Sequence, residues 1–341
     1  MKKTSVITIN LRSTRLLVLL CLFLSVIYLS TILAQNLPAF SLGEDPIKLI
    51  LSSNIAYNSS PIPTVGAFSF VRKEVIKNEK QVVSQPSDPP KAQTVRTPEI
   101  KNPNAVVKVN NSTNFSIVPE DYLSETPTFL KENFSVLIVH THTTESYTPS
   151  EKYSYTPLDT DRTTDKKYNM VAVGNEIEKV LSERGIKVYH DTTINDYPSY
   201  SGSYGKSAMA IENHIKNDPS IKIVLDVHRD AIIGKNGEKV KYSTVIDGKE
   251  AAKIMFVVGS DLSGLEHSNW DENMKFAAQL QKHTLSLYPE LCRPINFRKQ
   301  RFNQHLAPGG IIVEVGTNAN TLDEAIYGAQ CFATALADFL K

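Results

Sequence analysis

The sequence predicts an α/β fold, built as a single domain whose mostly parallel or mixed sheet has helices on both faces. The first observation is an alternation: short apolar, β-branched runs of strand length alternate with stretches whose apolar residues recur at helical spacing. The second is that several of the apolar runs lead directly into histidine, aspartate or glutamate. Ligands of open α/β sheets bind outside the carboxyl ends of the strands, so this pattern also predicts where the chemistry lies.

A membrane anchor is predicted at the N-terminus. Residues 16–34 form an almost unbroken apolar run of the length that spans a bilayer. Residues 1–15 are basic, so the positive-inside rule predicts a cytoplasmic N-terminus and a single-pass protein of the cell membrane, with its catalytic domain outside the cytoplasm. A cleaved signal peptide is the alternative, but the run is long for one and residues 32–34 are a poor cleavage site.

A flexible linker is predicted next, over residues 35–118. This stretch is punctuated by prolines, is rich in Ser, Asn, Lys and Gln, and shows no sustained hydrophobic period. Such a composition buries too little apolar surface to offset the entropy of ordering it. Residues 119–341 are then predicted to form the folded domain, which is long enough for one large core.

Each element of the domain follows from its own pattern. Strands are predicted where apolar residues run together, and helices where they recur at intervals of three and four. Gly185 is placed to end the first helix, and Thr321 with Glu324 forms a capping-box pattern that opens the last one. The predicted strands are 135–139, 186–189, 221–227, 241–246, 254–258 and 311–313, and the predicted helices are 168–184, 206–216, 273–287 and a last one from 321.

Composition excludes some classes of function. The chain has 341 residues, 41% of them hydrophobic, and a formal net charge of +1, which gives no reason to expect nucleic acid as a partner. Cys292 and Cys331 are the cysteines of the predicted domain, and no CxxC motif indicates a thiolate zinc site. Two ordinary core thiols are favoured, while a disulfide between them stays open.

Three strand ends supply residues suited to one zinc ion. His142 and Glu145, three positions apart after the first strand, can converge on a cation, and His228 after a second strand would be the third ligand. Three N/O ligands leave the fourth tetrahedral position to water, as in catalytic zinc sites. Zinc lowers the pKa of that water to about 7, which makes hydroxide available at neutral pH.

Other charged residues near these ends are candidates for supporting chemistry. Glu314, at the end of an apolar strand, is the candidate general base that takes the proton of the water and passes it to the leaving amine. Arg229 would polarise the scissile carbonyl or grip a substrate carboxylate. His140 is either an orienting group or an alternative ligand, and Asp226 could accept the spare N–H of a zinc-bound histidine.

Each of these motifs is weak by itself. His-x-His occurs often without a metal, residues 228–230 could be a surface ion-pair cluster, and Glu314 could be satisfied by backbone amides. The combination, in which each motif follows an apolar strand, is the stronger signal. No GxSxG elbow or Gly-rich phosphate loop offers another chemistry. The remaining histidines are expected to be structural or surface residues: His190, His214, His267, His283 and His305.

Four segments together resemble the stage II sporulation protein P family. They are 140–147 (HTHTTESY), 191–200 (DTTINDYPSY), 226–231 (DVHRDA) and 314–321 (EVGTNANT). The resemblance implies a membrane-anchored peptidoglycan hydrolase of forespore engulfment, related to zinc-dependent N-acetylmuramoyl-L-alanine amidases and credited also with cross-link endopeptidase activity. It further implies an amidase-like fold and, as partners, the stage II sporulation proteins D and M.

The resemblance supports His142, His228 and Glu314 more clearly than the acidic ligand. In the wider amidase group that ligand precedes an Asn-led helix, which here would point to Asp165, before Asn169. The HxxE…H pattern instead resembles zinc carboxypeptidases and favours Glu145. Two other functions stay open: a non-catalytic, amidase-like module that binds the wall or recruits partners, and a zinc peptidase that acts only on stem peptides.

Overall fold

The computed structural model describes residues 98–158 and 160–341. The predicted cytoplasmic N-terminus, the anchor and the linker up to residue 97 lie outside the described residues. Within the two described ranges, no helix combines the length and the apolar character needed to cross a membrane.

A seven-stranded mixed sheet forms the centre of the fold, in the order β1-β8-β7-β9-β4-β2-β3. All neighbouring strands are parallel except β7 and β9, which are antiparallel, and β5 and β6 form a separate antiparallel pair. The predicted mixed α/β sheet is thereby confirmed. The strands are β1 (Val109–Asn111), β2 (Ser135–Val139), β3 (Val188–His190), β4 (Ile221–Asp230), β5 (Ser243–Ile246), β6 (Lys249–Ala252), β7 (Ile254–Val258), β8 (Ile295–Phe297) and β9 (Gly309–Thr317).

Helices cover both faces of the sheet, as predicted. Successive strand residues point to opposite faces, so one strand can contribute to two cores. Ile138 packs in the large core with the buried sides of α1, α3 and α4, whereas Leu137 and Val139 pack with Ile211 of α2 in a smaller core. The helices are α1 (Met170–Glu183), α2 (Ser203–Asn217), α3 (Trp270–Leu287) and α4 (Leu322–Phe339).

The helix ends follow the predicted local chemistry. The side chain of Thr321 caps α4 by accepting a hydrogen bond from the backbone N–H of Glu324. Asn169 caps α1 in the same way by accepting from Val171 N. Gly185, with φ of 78°, supplies the left-handed residue just beyond the end of α1.

The sheet differs from the sequence prediction at four strands: β1, β8, β4 and β9. β1 lies within the range predicted as linker, where Val109 pairs with Ile295 of β8; the linker prediction is wrong for these residues. β1 and β8, which were not predicted as strands, are each three residues long. A hydrophobic period cannot be recognised over so few residues. β4 and β9 are longer than predicted, so that His228 and Glu314 lie within strands and not after them.

The cysteine question is also answered for this structure. Cys292 is half-buried, Cys331 is buried, and both thiols are free. The favoured interpretation as two unpaired thiols is confirmed.

Candidate active site

Strand register brings the predicted site residues together. β4 pairs with β9 so that His228 lies opposite Glu314. β2 lies on the other side of β4 and leads into the loop that contains His142 and Glu145. Asp226 is two residues before His228 on β4, so its side chain leaves the same face of the sheet.

His228 lies between two carboxylates. Its Nδ1 is 3.3 Å from Oε2 of Glu145, and its Nε2 is 2.9 Å from Oδ1 of Asp226. Burial by itself would lower the pKa of His228, but Asp226 and Glu145 raise it well above its usual value. Asp226 also accepts hydrogen bonds from Thr141 N at 2.8 Å and Thr141 Oγ1 at 2.6 Å. Nε2 of His228, despite its short distance to Asp226, has no hydrogen bond of acceptable geometry.

His142 is held by residues at the start of α2 and just before it. Its Nε2 is 2.9 Å from the hydroxyl of Tyr200, and its Nδ1 is 3.3 Å from Oγ of Ser203. The Tyr200 ring stacks on the imidazole with 4.3 Å between centroids, and the ring of His228 lies edge-on at 5.3 Å. Burial lowers the pKa of His142, which favours the neutral imidazole that a metal ligand requires.

Glu145 is buried and connected on both of its oxygens. Oε2 accepts a hydrogen bond from the backbone N–H of Arg229 at 3.3 Å, and Oε1 is 3.4 Å from Nη2 of Arg162. Burial would raise the pKa of Glu145, but His228 and Arg229 lower it to about 2. The carboxylate is therefore ionised at neutral pH and can serve as a ligand.

Glu314 has the environment that a proton-transfer group needs. The residue is half-buried, and its Oε2 is buried without a hydrogen-bond partner. Burial raises the pKa of Glu314 to about 8; the charge of His228 opposes this rise, and that of Glu145 adds to it. A carboxyl group with a pKa near neutrality can exchange its proton with a bound substrate or water.

Arg229 makes contacts that differ from the predicted ones. Its Nε donates to the backbone carbonyl of Ser146 at 3.0 Å, and its Nη2 donates to that of Asp161 at 3.1 Å. The guanidinium group thus links the backbone at Ser146 to the backbone at Asp161, within the loop that contains Glu145. These bonds favour a positioning role over the predicted contact with a scissile carbonyl.

Of the two acidic candidates, the structure brings Glu145 to the histidines. Asp165 is exposed, and its Oδ1 accepts a hydrogen bond from the backbone N–H of Lys167 in a local turn. Glu145, in contrast, lies 3.3 Å from His228.

His140 lies away from the predicted ligands. It is fully buried, with Nδ1 2.9 Å from the carbonyl of Val227 and Nε2 2.9 Å from Nε2 of His190. Burial and the neighbouring His190 lower its pKa to about 3. Gly174 makes room for this pair, because a Cβ there would lie 2.5 Å from His190 and 2.7 Å from His140. These contacts indicate a structural imidazole pair and not an alternative ligand.

Sequence reasoning missed three residues that line the site. Tyr200 covers His142, and Arg162 packs over the Tyr200 ring at 5.0 Å. Arg162 is also paired with Asp196 at 2.5 Å, and Asp196 accepts from Thr144 N at 3.0 Å. Tyr200 and Asp196 belong to the 191–200 segment that supported the family resemblance, which was the available signal; no pattern in that segment indicated their chemistry.

The donor set fits zinc, although the side chains are not arranged around a metal. Among the described residues, no group of three or more His, Cys, Asp and Glu side chains is placed to hold a metal ion as it stands. His142, Glu145 and His228 nevertheless converge and provide the nitrogen and oxygen donors of catalytic zinc sites. Nδ1 of His228 faces Oε2 of Glu145 and would be the metal-binding nitrogen, while Nε2 faces Asp226.

Amidases are among the solved structures that structural comparison aligns with this chain. N-acetylmuramoyl-L-alanine amidase from Clostridium difficile 630 is 15% identical, with a TM-score of 0.36, over 60% of this chain and 94% of that chain. The amidase Ami1 from Mycobacterium smegmatis is 13% identical, with a TM-score of 0.35, over 60% and 94% of the two chains.

Sequence comparison identifies the family. Stage II sporulation protein P of Bacillus subtilis (strain 168) is 28% identical over 215 residues, which make up 60% of this chain and 50% of that protein. The chain thus spans half the length of this curated relative. The family model for stage II sporulation protein P (SpoIIP) matches residues 30–337, most of the sequence. The chain therefore belongs to the stage II sporulation protein P family.

Proposed function

We propose that this protein is a sporulation peptidoglycan hydrolase that cleaves the amide between N-acetylmuramic acid and the L-alanine of the stem peptide. The observation that supports this most strongly is the convergence of His142, Glu145 and His228 beside Glu314, whose Oε2 is buried and unpartnered. Membership of the family supports the sporulation context. Peptide cross-links are proposed as additional substrates.

Zinc is the proposed cofactor, held by His142, Glu145 and His228. When bound, zinc supplies a Lewis acid that activates water for attack on the amide. Asp226 orients His228, because its carboxylate lies 2.9 Å from the second ring nitrogen. To bind the ion, one ring nitrogen of His142 would have to exchange its present partner, Tyr200 or Ser203, for the metal.

Glu314 is the proposed proton carrier of the reaction. As a base, it accepts a proton from the attacking water; as an acid, it returns that proton to the leaving amine of L-alanine. Its pKa of about 8 falls when a cation lies beside it, which leaves enough carboxylate to act as a base at neutral pH. Arg229 takes no part in the proton transfer; it holds the loop that positions Glu145.

The location and the partners are further parts of the proposal. The apolar run at residues 16–34 and the basic residues before it support a single-pass anchor in the cell membrane, with the N-terminus in the cytoplasm and the catalytic domain outside. The stage II sporulation proteins D and M are proposed as partners on the basis of the family.

One assay separates this function from its alternatives. The purified full-length chain is incubated with peptidoglycan and either zinc or EDTA, and the products are identified by mass spectrometry. Zinc-dependent release of intact stem peptides with N-terminal L-alanine is the expected result, and cleavage only within stems would establish a peptidase instead. If no bond is cut even with the D partner, while His142→Ala still binds the wall, the protein is a binding module and the proposal fails.

A further inference from the structure

A cluster of basic side chains lies outside the active site. His267 belongs to the loop between β7 and α3, and Arg301 and His305 belong to the loop between β8 and β9. Because β7 and β8 are parallel neighbours, both loops leave the same edge of the sheet. The rings of His267 and His305 lie 6.4 Å apart and nearly perpendicular.

The cluster contains several buried nitrogen atoms that have no hydrogen-bond partner. They are both ring nitrogens of His267, Nδ1 of His305 and Nε of Arg301. His267 is only 2% exposed, so bulk solvent does not satisfy its ring. Buried polar atoms are nearly always paired, and unpaired atoms in one place indicate a binding partner that completes them.

The charge of the cluster indicates that the partner is an anion. Arg301 forms no ion pair with any described residue, and within the described part of the chain its guanidinium makes one hydrogen bond, from Nη1 to the backbone carbonyl of Glu266 at 3.0 Å. Burial lowers the pKa of His267, and the charges of His305 and Arg301 lower it further, with no opposing effect from a carboxylate of the described residues. A metal cation would be repelled by the arginine, whereas a carboxylate accepts hydrogen bonds from both guanidinium and imidazole.

Aromatic contacts connect this loop to the active site. Phe302, next to Arg301, packs against Tyr204 with 5.9 Å between ring centroids. Tyr204 in turn packs edge-on against His142 at 5.6 Å. Asn303 strengthens the connection by donating to the backbone carbonyl of Tyr204 at 2.9 Å. A substrate that extends from the active site along this side would therefore meet the basic cluster.

We propose that His267, Arg301 and His305 form a subsite for a carboxylate group of the stem peptide. Two observations support an anion site independently of the proposed function: the unpaired nitrogens, and an Arg301 side chain that forms no ion pair with a described residue. The assignment of the carboxylate to the stem peptide rests on the proposed function, because stem peptides carry free carboxylates. The subsite would hold the peptide end of the substrate while the amide lies at Glu314.

The anion site is tested by titrating the full-length chain with acetate and following the histidine side chains by NMR. We expect a saturable shift of the His267 resonance, assigned with His267→Gln, and binding at least about tenfold weaker in Arg301→Gln. The matched control is Lys299→Gln, which removes one exposed positive charge from the same loop and should bind as wild type. No saturable shift, or equal binding by Arg301→Gln and wild type, means that the nitrogens hold water only and overturns the site.

The source of the carboxylate is tested with two substrates that differ only in a free or an amidated stem carboxylate. Arg301→Gln should raise KM for the free form about tenfold, leave kcat unchanged, and leave KM for the amidated form unaffected. If acetate binds but both substrates respond alike, the assignment to the stem peptide is overturned. The acetate titration needs no turnover, so failure of the proposed function is distinguishable from failure of the subsite.

Discussion

Tyr200 and His142 form a stacked, hydrogen-bonded pair over the proposed metal site. The ring centroids are 4.3 Å apart, and the Tyr200 hydroxyl lies 2.9 Å from Nε2 of His142. Arg162 packs over the Tyr200 ring at 5.0 Å and is held by Asp196. The Tyr200 hydroxyl would therefore compete with the proposed zinc ion for Nε2 of His142.

Tyr200→Phe is expected to bind zinc more tightly. The substitution removes the hydroxyl that competes for Nε2 of His142 but keeps the ring. The loss of one such hydrogen bond, worth about 1 kcal/mol, should raise the affinity about fivefold. Competition with a chromogenic chelator measures the constant, and Tyr197→Phe, at an exposed position of the same segment, is the control. An unchanged or weaker affinity would show that the hydroxyl does not compete with the metal.

Glu145→Gln and Asp165→Asn distinguish the two acidic candidates for metal ligand. Glu145→Gln should weaken zinc binding more than about 100-fold. Removing a residue that only hydrogen-bonds to a metal ligand causes a smaller loss. Asp165→Asn should leave it unchanged, because the hydrogen bond that this exposed carboxylate accepts comes from Lys167 in its own turn. Chelator competition and circular dichroism measure affinity and folding. The reverse order of effects would make Asp165 the ligand.

Glu314→Gln should abolish turnover and stabilise the metal-free fold. The folded pKa of Glu314, about 8, lies above the unfolded value of 4.5, so the folded state binds the extra proton between these limits. Its contribution to stability is fully present below pH 4.5 and is lost as pH rises towards 8, at up to about 1.4 kcal/mol per pH unit. A glutamine at this position cannot ionise, so urea denaturation of the variant with EDTA should show a smaller loss between pH 5 and pH 8. Equal pH dependence in both proteins would contradict the raised pKa.

Arg229→Lys tests the positioning role. Lysine cannot reproduce the two bonds from Nε and Nη2 to the carbonyls of Ser146 and Asp161. We expect a loss of about 2 kcal/mol in the free energy of unfolding by urea. Arg184→Lys is the control, since Arg184 forms no ion pair among the described residues. If Arg229→Lys is as stable as wild type but loses kcat, the predicted contact with substrate is the better account.

His267→Gln should make the fold less sensitive to acid. Burial, with His305 and Arg301, lowers the pKa of His267 from 6.5 to about 4, so the unfolded chain binds the proton first. Stability is therefore fully present above pH 6.5 and falls as pH decreases towards 4, by at most about 1.4 kcal/mol per pH unit. Thermal denaturation between pH 4.5 and pH 7 should show a shallower decline for His267→Gln. A decline as steep as that of wild type would rule out His267 as a source of acid sensitivity.

Local patterns in the sequence determined the main elements of the fold. The strand predicted at 254–258 agrees with β7, and the helix predicted at 168–184 contains α1, because hydrophobic period and capping residues act over a few neighbours. The same reasoning selected His142, Glu145, His228 and Glu314 as candidate site residues, since each follows or ends an apolar run. Strands β1 and β8 were not predicted, because strands of three residues are too short to show a hydrophobic period and depend on their pairing partners.

Tertiary structure decided what these residues touch. Only the pairing of β4 with β9 places His228 opposite Glu314, and only the folded loops show that Glu145, and not Asp165, meets the histidines. Arg229 could not be assigned from sequence because its partners are backbone carbonyls at residues distant in the chain. The sequence by itself determined which chemical groups are present and the strands that carry them. Their distances, burial and pKa shifts arise from long-range packing, which no local pattern encodes.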